Sequence, residues 1–116
     1  MDDRTAIERP AAAAGRGLAY VFWTGGEERG SWVRLDPAGM TFGTSAACEA
    51  PIRDAAAAPE QARIRKEEDQ WFLYDLEGRD TTCVDGEAVY RQGLKDGSVV
   101  TLGATTGIVR ILEGDR

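Results

Sequence analysis

Residues 71–103 read WFLYDLEGRDTTCVDGEAVYRQGLKDGSVVTLG, and this stretch decides the fold. Its short apolar runs are cut at intervals of roughly ten residues by Glu77-Gly78, Asp85-Gly86 and Asp96-Gly97, the rhythm of antiparallel strands joined by tight turns. Asp-Gly between apolar runs is a strong hairpin signal, because both central positions can take positive φ. The stretch is expected to form the tip and one sheet of an all-β sandwich. Strands are expected at Cys83 and Val84, at 88–90 and at 99–102, with a bend at Gly93.

Upstream, 18–23 (LAYVFW) is dense in β-formers, and TGGEERGS supplies Gly25, Gly26 and Gly30 for a loop before Trp32, Val33 and Leu35. This predicts a hairpin, followed by a turn at Asp36, Pro37 and Gly39 and a strand over 40–43 (MTFG). Residues 44–59 read as a loop with a short strand around Ile52, since Pro59 opposes a helix across 55–58. Ala62 and Ile64 alternate with Arg63 and Arg65, and the acidic turn Glu67, Glu68, Asp69 leads into Trp71 and Leu73, with Phe72 and Tyr74 pointing outward. A last strand is expected over 108–112. The sum is about ten to eleven short antiparallel strands over 18–113, with 1–17 as a disordered leader or linker and 114–116 as a tail. Trp23, Trp32 and Trp71 lie in predicted strands and are expected in the core.

The 116 residues suit one domain, large enough to bury a core without metals or disulfides. A formal charge of −6, from 14 basic and 20 acidic residues, argues against nucleic acid or an anionic membrane as partner, which would require clustered Lys and Arg. The longest apolar run, 18–23, falls far short of the roughly 18 residues that suggest a membrane span. The sequence contains no His, which removes the commonest general base, the commonest metal ligand and every Ser-His or Cys-His arrangement. An enzyme is therefore not expected. Glu67, Glu68 and Asp69 lack the spaced ligands of a calcium loop, and no metal or cofactor is expected. Cys48 and Cys83 show no redox spacing, and no secretory apolar region follows MDDRTAIER, which points to reduced thiols and a cytoplasmic location. The Ala-, Gly- and Arg-rich composition is compatible with a high-GC bacterial source.

Over 18–112 the chain resembles a forkhead-associated (FHA) domain. A strand ending in Gly before a loop is similar to 40–43, and the family's acidic turn is similar to 49–54, with Ile52 and Asp54 in place. Its Ala-x-Ile run matches Ala62 and Ile64. The loop at its tip is similar to 75–86, and its Leu-x-x-Gly-Asp-x-Ile-x-Leu-Gly run to 94–103. The resemblance implies a β-sandwich that binds phosphothreonine peptides through loops at one end, without cofactors or chemistry. At the family's ligand-facing positions this sequence has Thr44 for Arg, Ala58 for Ser and Asp80-Thr81 for Asn-Gly. Gln61 stands at the structural His, and only Thr82 is retained.

Charge-assisted donors to a phosphate contribute about 1.5–3 kcal/mol each, while a micromolar complex holds only about 8 kcal/mol in total. Losing two or three such donors leaves little phosphate binding, and a carboxylate at Asp80 adds about 1–4 kcal/mol of repulsion at close approach. The expectation is an FHA-like, non-catalytic protein-interaction module in signalling or regulation that does not need phosphothreonine. Its contact surface is either the loops carrying Thr44, Ala58, Gln61, Arg79, Asp80, Thr81 and Thr82, or a sheet face. Its partner is a protein, phosphorylated or not. Two alternatives stand beside it. One is phosphothreonine binding through a rearranged site in which Arg79, with Arg53, Arg63 or Arg65, replaces the lost donors. The other is a structural domain that self-associates through an exposed edge strand.

Overall fold

The computed structural model describes residues 18–112; the expected leader over 1–17 and tail over 114–116 lie outside the described residues. Eleven strands follow in order: β1 Leu18–Gly25, β2 Trp32–Arg34, β3 Met40–Gly43, β4 Ala50–Pro51, β5 Ala62–Glu67, β6 Gln70–Asp75, β7 Thr82–Val84, β8 Glu87–Ala88, β9 Arg91–Leu94, β10 Val99–Leu102 and β11 Thr105–Leu112. They form a six-stranded sheet in the order β2-β1-β11-β10-β7-β8 and a five-stranded sheet in the order β4-β3-β5-β6-β9. Every pairing is antiparallel except β3 with β4. The described residues thus form the all-β sandwich that the turn spacing predicts.

Strand alternation builds the core. Ala19, Val21 and Trp23 point inward from β1, Ile64 from β5, Trp71 and Leu73 from β6, and Val100 and Leu102 from β10. Burying each large side chain contributes about 1.5–3 kcal/mol. Trp23 reaches across the layers to meet Phe42 edge-on, with ring centroids 6.0 Å apart and planes at 76°, a favourable aromatic geometry. Gly107, opposite Trp23 on β11, makes room for it: a Cβ there would lie 2.7 Å from Val21 and 2.8 Å from the indole. Asp85 and Gly86 both have positive φ, 53° and 88°, as the hairpin turn between β7 and β8 requires.

The structure differs from the sequence reading in several places. Residues 71–103 do not form one sheet: β6 and β9 belong to the five-stranded layer, whereas β7, β8 and β10 belong to the other. The chain changes layer in the loops after β6, β8 and β9. Gly93 is not a bend but the middle of β9, opposite Phe72, where its missing side chain admits the Gln70 amide; the strand expected at 88–90 ends at Ala88 and leaves Tyr90 exposed. The last strand starts at Thr105 rather than 108, because Gly103 at φ 65° turns the chain directly from β10 into β11. Trp32 lies outside the core, 59% exposed on β2, because its register partner Phe22 occupies the outward parity of β1.

Candidate functional site

Five loops converge at one end of the sandwich, and hydrogen bonds knit them together. The β3–β4 loop meets the β4–β5 loop where the Thr44 amide donates to the Ala58 carbonyl (3.0 Å) and the Ser45 amide to that of Pro59 (3.2 Å). Gly43 permits this approach, since a Cβ there would fall 2.1 Å from the Pro59 oxygen. The β10–β11 turn joins through Gly103, whose amide donates to the Thr81 carbonyl (2.9 Å) and whose Cα face rests on Ala56. The β1–β2 loop is held by Glu28, which accepts from the Arg53 amide (2.9 Å) and pairs with its guanidinium (3.1 Å).

Gln61 is the buried hub of this end. Its side-chain amide donates to the hydroxyls of Thr81 (2.9 Å) and Thr82 (2.8 Å), and its side-chain oxygen accepts from the Ala58 amide (2.8 Å). Its backbone bonds Phe42 and Leu76. Thr82, also fully buried, donates to Asp75 (2.7 Å), whose carboxylate accepts the Glu77 and Gly78 amides as well. Gln61 and Thr82 therefore position the loops and do not face a partner. The exposed residues of the expected set are Thr44, Arg79 and Asp80, with Ala58 and Thr81 partly covered. Asp80 adopts φ 61°, a left-handed conformation that Asp and Asn tolerate better than most residues.

Asp54, at the family's acidic position, clamps the β4–β5 loop to the β10–β11 turn. It accepts from the Ala104 amide (2.8 Å), the Thr105 hydroxyl (2.6 Å) and the Ala56 amide (2.7 Å). Burial pushes its carboxyl pKa up, but the hydrogen bonds from Thr105, Ala56 and Ala104 outweigh that and hold it below the ordinary value. A depression of about 400 Å³ beside it is lined by Gly26, Glu27, Arg53 and Ala56. Two of its charged groups are already engaged, Arg53 by Glu28 and Asp54 by the adjacent turn.

The arginines proposed as a substitute anion site do not come together. Arg79 pairs with Glu77 (2.9 Å) and Arg53 with Glu28. Arg63 donates to the Thr41 hydroxyl (2.9 Å) and lies over Gly39, and Arg65 pairs with Glu67 (2.9 Å). Each is engaged by a different partner. Burial pushes the Cys48 thiol pKa up, and the charges of Glu60 and Glu49 push it further against a Ser45 amide hydrogen bond. Cys48 and Cys83 are both free thiols, buried and half-buried respectively.

Two outer faces carry features absent from the expected site. On the five-stranded layer, Glu67 accepts from Tyr74 and Arg65 and lies 3.6 Å from the Arg91 guanidinium, which stacks on Phe72 at 4.0 Å. On the six-stranded layer, Tyr20, Phe22 and Trp32 form an aromatic cluster with centroids 5.5–6.4 Å apart. The signal for that cluster was present in LAYVFW: with Ala19, Val21 and Trp23 inward, Tyr20 and Phe22 must face out.

Two layers joined in this order, with the loops gathered at one end, define an FHA fold. The solved structures agree: an FHA domain from Arabidopsis thaliana superposes with a TM-score of 0.78 at 22% identity, covering 93% of this chain and 98% of that one. The FHA domain of CT664 from Chlamydia trachomatis gives 0.73 at 18% identity, over 80% and 96% of the two chains. Mycobacterium tuberculosis EmbR, in complex with a low-affinity phosphopeptide, gives 0.76 at 18% identity, over 90% of this chain and 27% of that one. No curated protein matches the sequence. The family described as "Inner membrane component of T3SS, cytoplasmic domain" matches residues 24–110, and the chain belongs to it.

Proposed function

We propose that the domain is a non-catalytic protein-interaction module that engages its partner without requiring phosphothreonine, and that it works in the cytoplasm. One observation carries the reading: the loop scaffold is fully hydrogen-bonded through Gln61, Asp75 and Asp54, yet the rim built on it offers Thr44, Ala58 and Asp80 where the family resemblance places phosphate-binding groups. Cooperative internal bonding keeps the loops in shape without a ligand. The rim itself has lost its charge-assisted donors, and Asp80 brings negative charge toward any incoming phosphate. Arg79 is a poor replacement, because Glu77 offsets its charge. The absence of His from the sequence supports a module without acid–base chemistry, and the family's description as a cytoplasmic domain supports the location.

The test is calorimetric titration of a degenerate phosphothreonine peptide library and its unphosphorylated twin. No phosphate-dependent heat is expected. The triple variant Thr44→Arg, Ala58→Ser, Asp80→Asn serves as positive control and is expected to gain phosphate-dependent binding, because it restores the missing groups on an intact scaffold. Saturable, phosphate-dependent binding by the unmodified chain would overturn the reading.

A further inference from the structure

The outer face of the six-stranded sheet has an ordered chemistry that neither the fold nor the tip uses. In cross-strand register, Trp32 of β2 lies opposite Phe22 of β1, which lies opposite Ile108 of β11, which lies opposite Val99 of β10. This is one continuous apolar row. Two residues along the strands runs a second row, Arg34–Tyr20–Arg110, placing a guanidinium on either side of the tyrosine. Trp32 is 59% exposed and Phe22 41% exposed. Aromatic cross-strand pairing supports a hairpin, but such pairing is served by rings that cover one another, and here Trp32 stays largely open to solvent.

Charge distinguishes this face from the rest of the molecule. The whole chain carries −6, yet the charged residues on the outward strand positions here are Arg34 and Arg110, and no carboxylate stands among them. Asp96, in the β9–β10 turn, reaches Arg110 from the edge at 2.7 Å, which leaves Arg34 as the principal positive charge beside the aromatic row. Trp, Tyr and Arg are the residues that dominate binding energy at protein interfaces, and an exposed apolar strip with a polar border marks a contact surface.

We infer that the Tyr20–Phe22–Trp32 face docks an apolar segment of a partner protein that carries an acidic side chain, its apolar residues covering Trp32 and Phe22 while its carboxylate pairs with Arg34. The inference rests on the reading of the domain as an interaction module and names the surface and the chemistry of its partner. The spacing of the two rows is that of residues i and i+2 on a strand, about 7 Å. An extended segment with an acidic residue two positions from an aromatic or aliphatic one matches both rows at once. A second copy of this chain presents the same positive, aromatic face and would set Arg34 against like charge.

The experiment is selection of a displayed random-peptide library on the full chain, followed by affinity measurement of the enriched peptides. Enrichment of apolar residues paired with Asp or Glu is expected. Affinity should fall at least about tenfold, or 1.4 kcal/mol, in Trp32→Ala and again in Arg34→Glu. Replacing the peptide's acid by Lys should restore binding to Arg34→Glu, a readout that a merely structural role would not give. Thr44→Arg and Asp80→Asn should leave affinity unchanged. Unchanged urea midpoints for Trp32→Ala and Arg34→Glu would show that these exposed positions were altered without unfolding the chain. Peptides that depend on the tip variants alone would overturn the sheet-face assignment and leave the interaction-module reading standing. Trp32-dependent self-association in sedimentation would also overturn the assignment, and failure of any peptide to bind either surface would overturn both.

Discussion

The loop end and the outer face of the six-stranded sheet are opposite solutions to the use of a surface. At the loop end many polar groups are spent internally: Gln61 ties the β4–β5 and β6–β7 loops, Asp75 caps one of them, and Asp54 clamps the other to the β10–β11 turn. What remains at its rim is small, negatively charged or, in Arg53 and Arg79, already paired with a glutamate. On the sheet face, by contrast, large rings stand uncovered beside two arginines. On the reading proposed above, a binding scaffold is kept for its rigidity without its ligand groups, and recognition moves to a surface the fold does not need.

This contrast makes mutational predictions of graded size. The largest is at Gly43, where a side chain meets the Pro59 carbonyl, a backbone atom that cannot swing aside. Gly43→Val is expected to lose about 3 kcal/mol, the upper end of overpacking penalties, read as a lower urea midpoint; an unchanged midpoint would refute close loop packing. Gln61→Leu keeps the volume but strands the Ala58 amide and removes the donor to the Thr81 and Thr82 hydroxyls. It should lose about 2–3 kcal/mol, and amide exchange should speed up in the β4–β5 and β6–β7 loops together. Exchange confined to one of them would break the claim that Gln61 couples both.

The Asp54 clamp is next and carries a pH signature. Its folded pKa lies below the ordinary Asp value, so its stabilisation is fully present above roughly pH 3.9 and is lost as pH falls through the folded pKa. Asp54→Asn should lose about 1.5 kcal/mol at neutral pH, the low end for a hydrogen bond to a charged group, and should flatten part of the acid limb of the stability curve. A variant whose acid limb matches the parent's would assign that limb to other carboxylates, of which Glu28 and Asp96 are also held low by arginine pairs. Smallest is Trp32→Ala, expected within about 0.5 kcal/mol of the parent because the ring is mostly solvent-exposed. A loss as large as that of Gln61→Leu would make the indole structural and dissolve the contrast between the two regions.

Most of the fold was legible because strand alternation and turn chemistry are local. Asp85-Gly86 announced its hairpin, and Ala62, Ile64, Trp71 and Leu73 announced the inward faces of β5 and β6. The layer assignment of residues 71–103 was not legible, since local spacing does not say which sheet a strand joins. Gly93 misled for a related reason: its lack of a side chain serves the Gln70 amide across the sheet, a long-range contact, and not a turn. At the site, the substitutions at Thr44, Ala58 and Asp80 could be read directly, but the burial of Gln61 and Thr82 could not, because it follows from loops far apart in sequence. Trp32 is expected in the core because an aromatic in a strand usually fills it, but the register of β2 against Phe22 sends it outward.

The most direct test compares the two regions in one experiment: amide chemical-shift mapping of the labelled chain, titrated first with a phosphothreonine peptide and then with an unphosphorylated peptide alternating apolar and acidic residues. The account predicts silence at Thr44, Asp80 and Thr81 in the first titration and saturable shifts at Tyr20, Phe22, Trp32 and Arg34 in the second. Saturable shifts at the loop end that vanish with the phosphate, with the sheet face silent throughout, would contradict it.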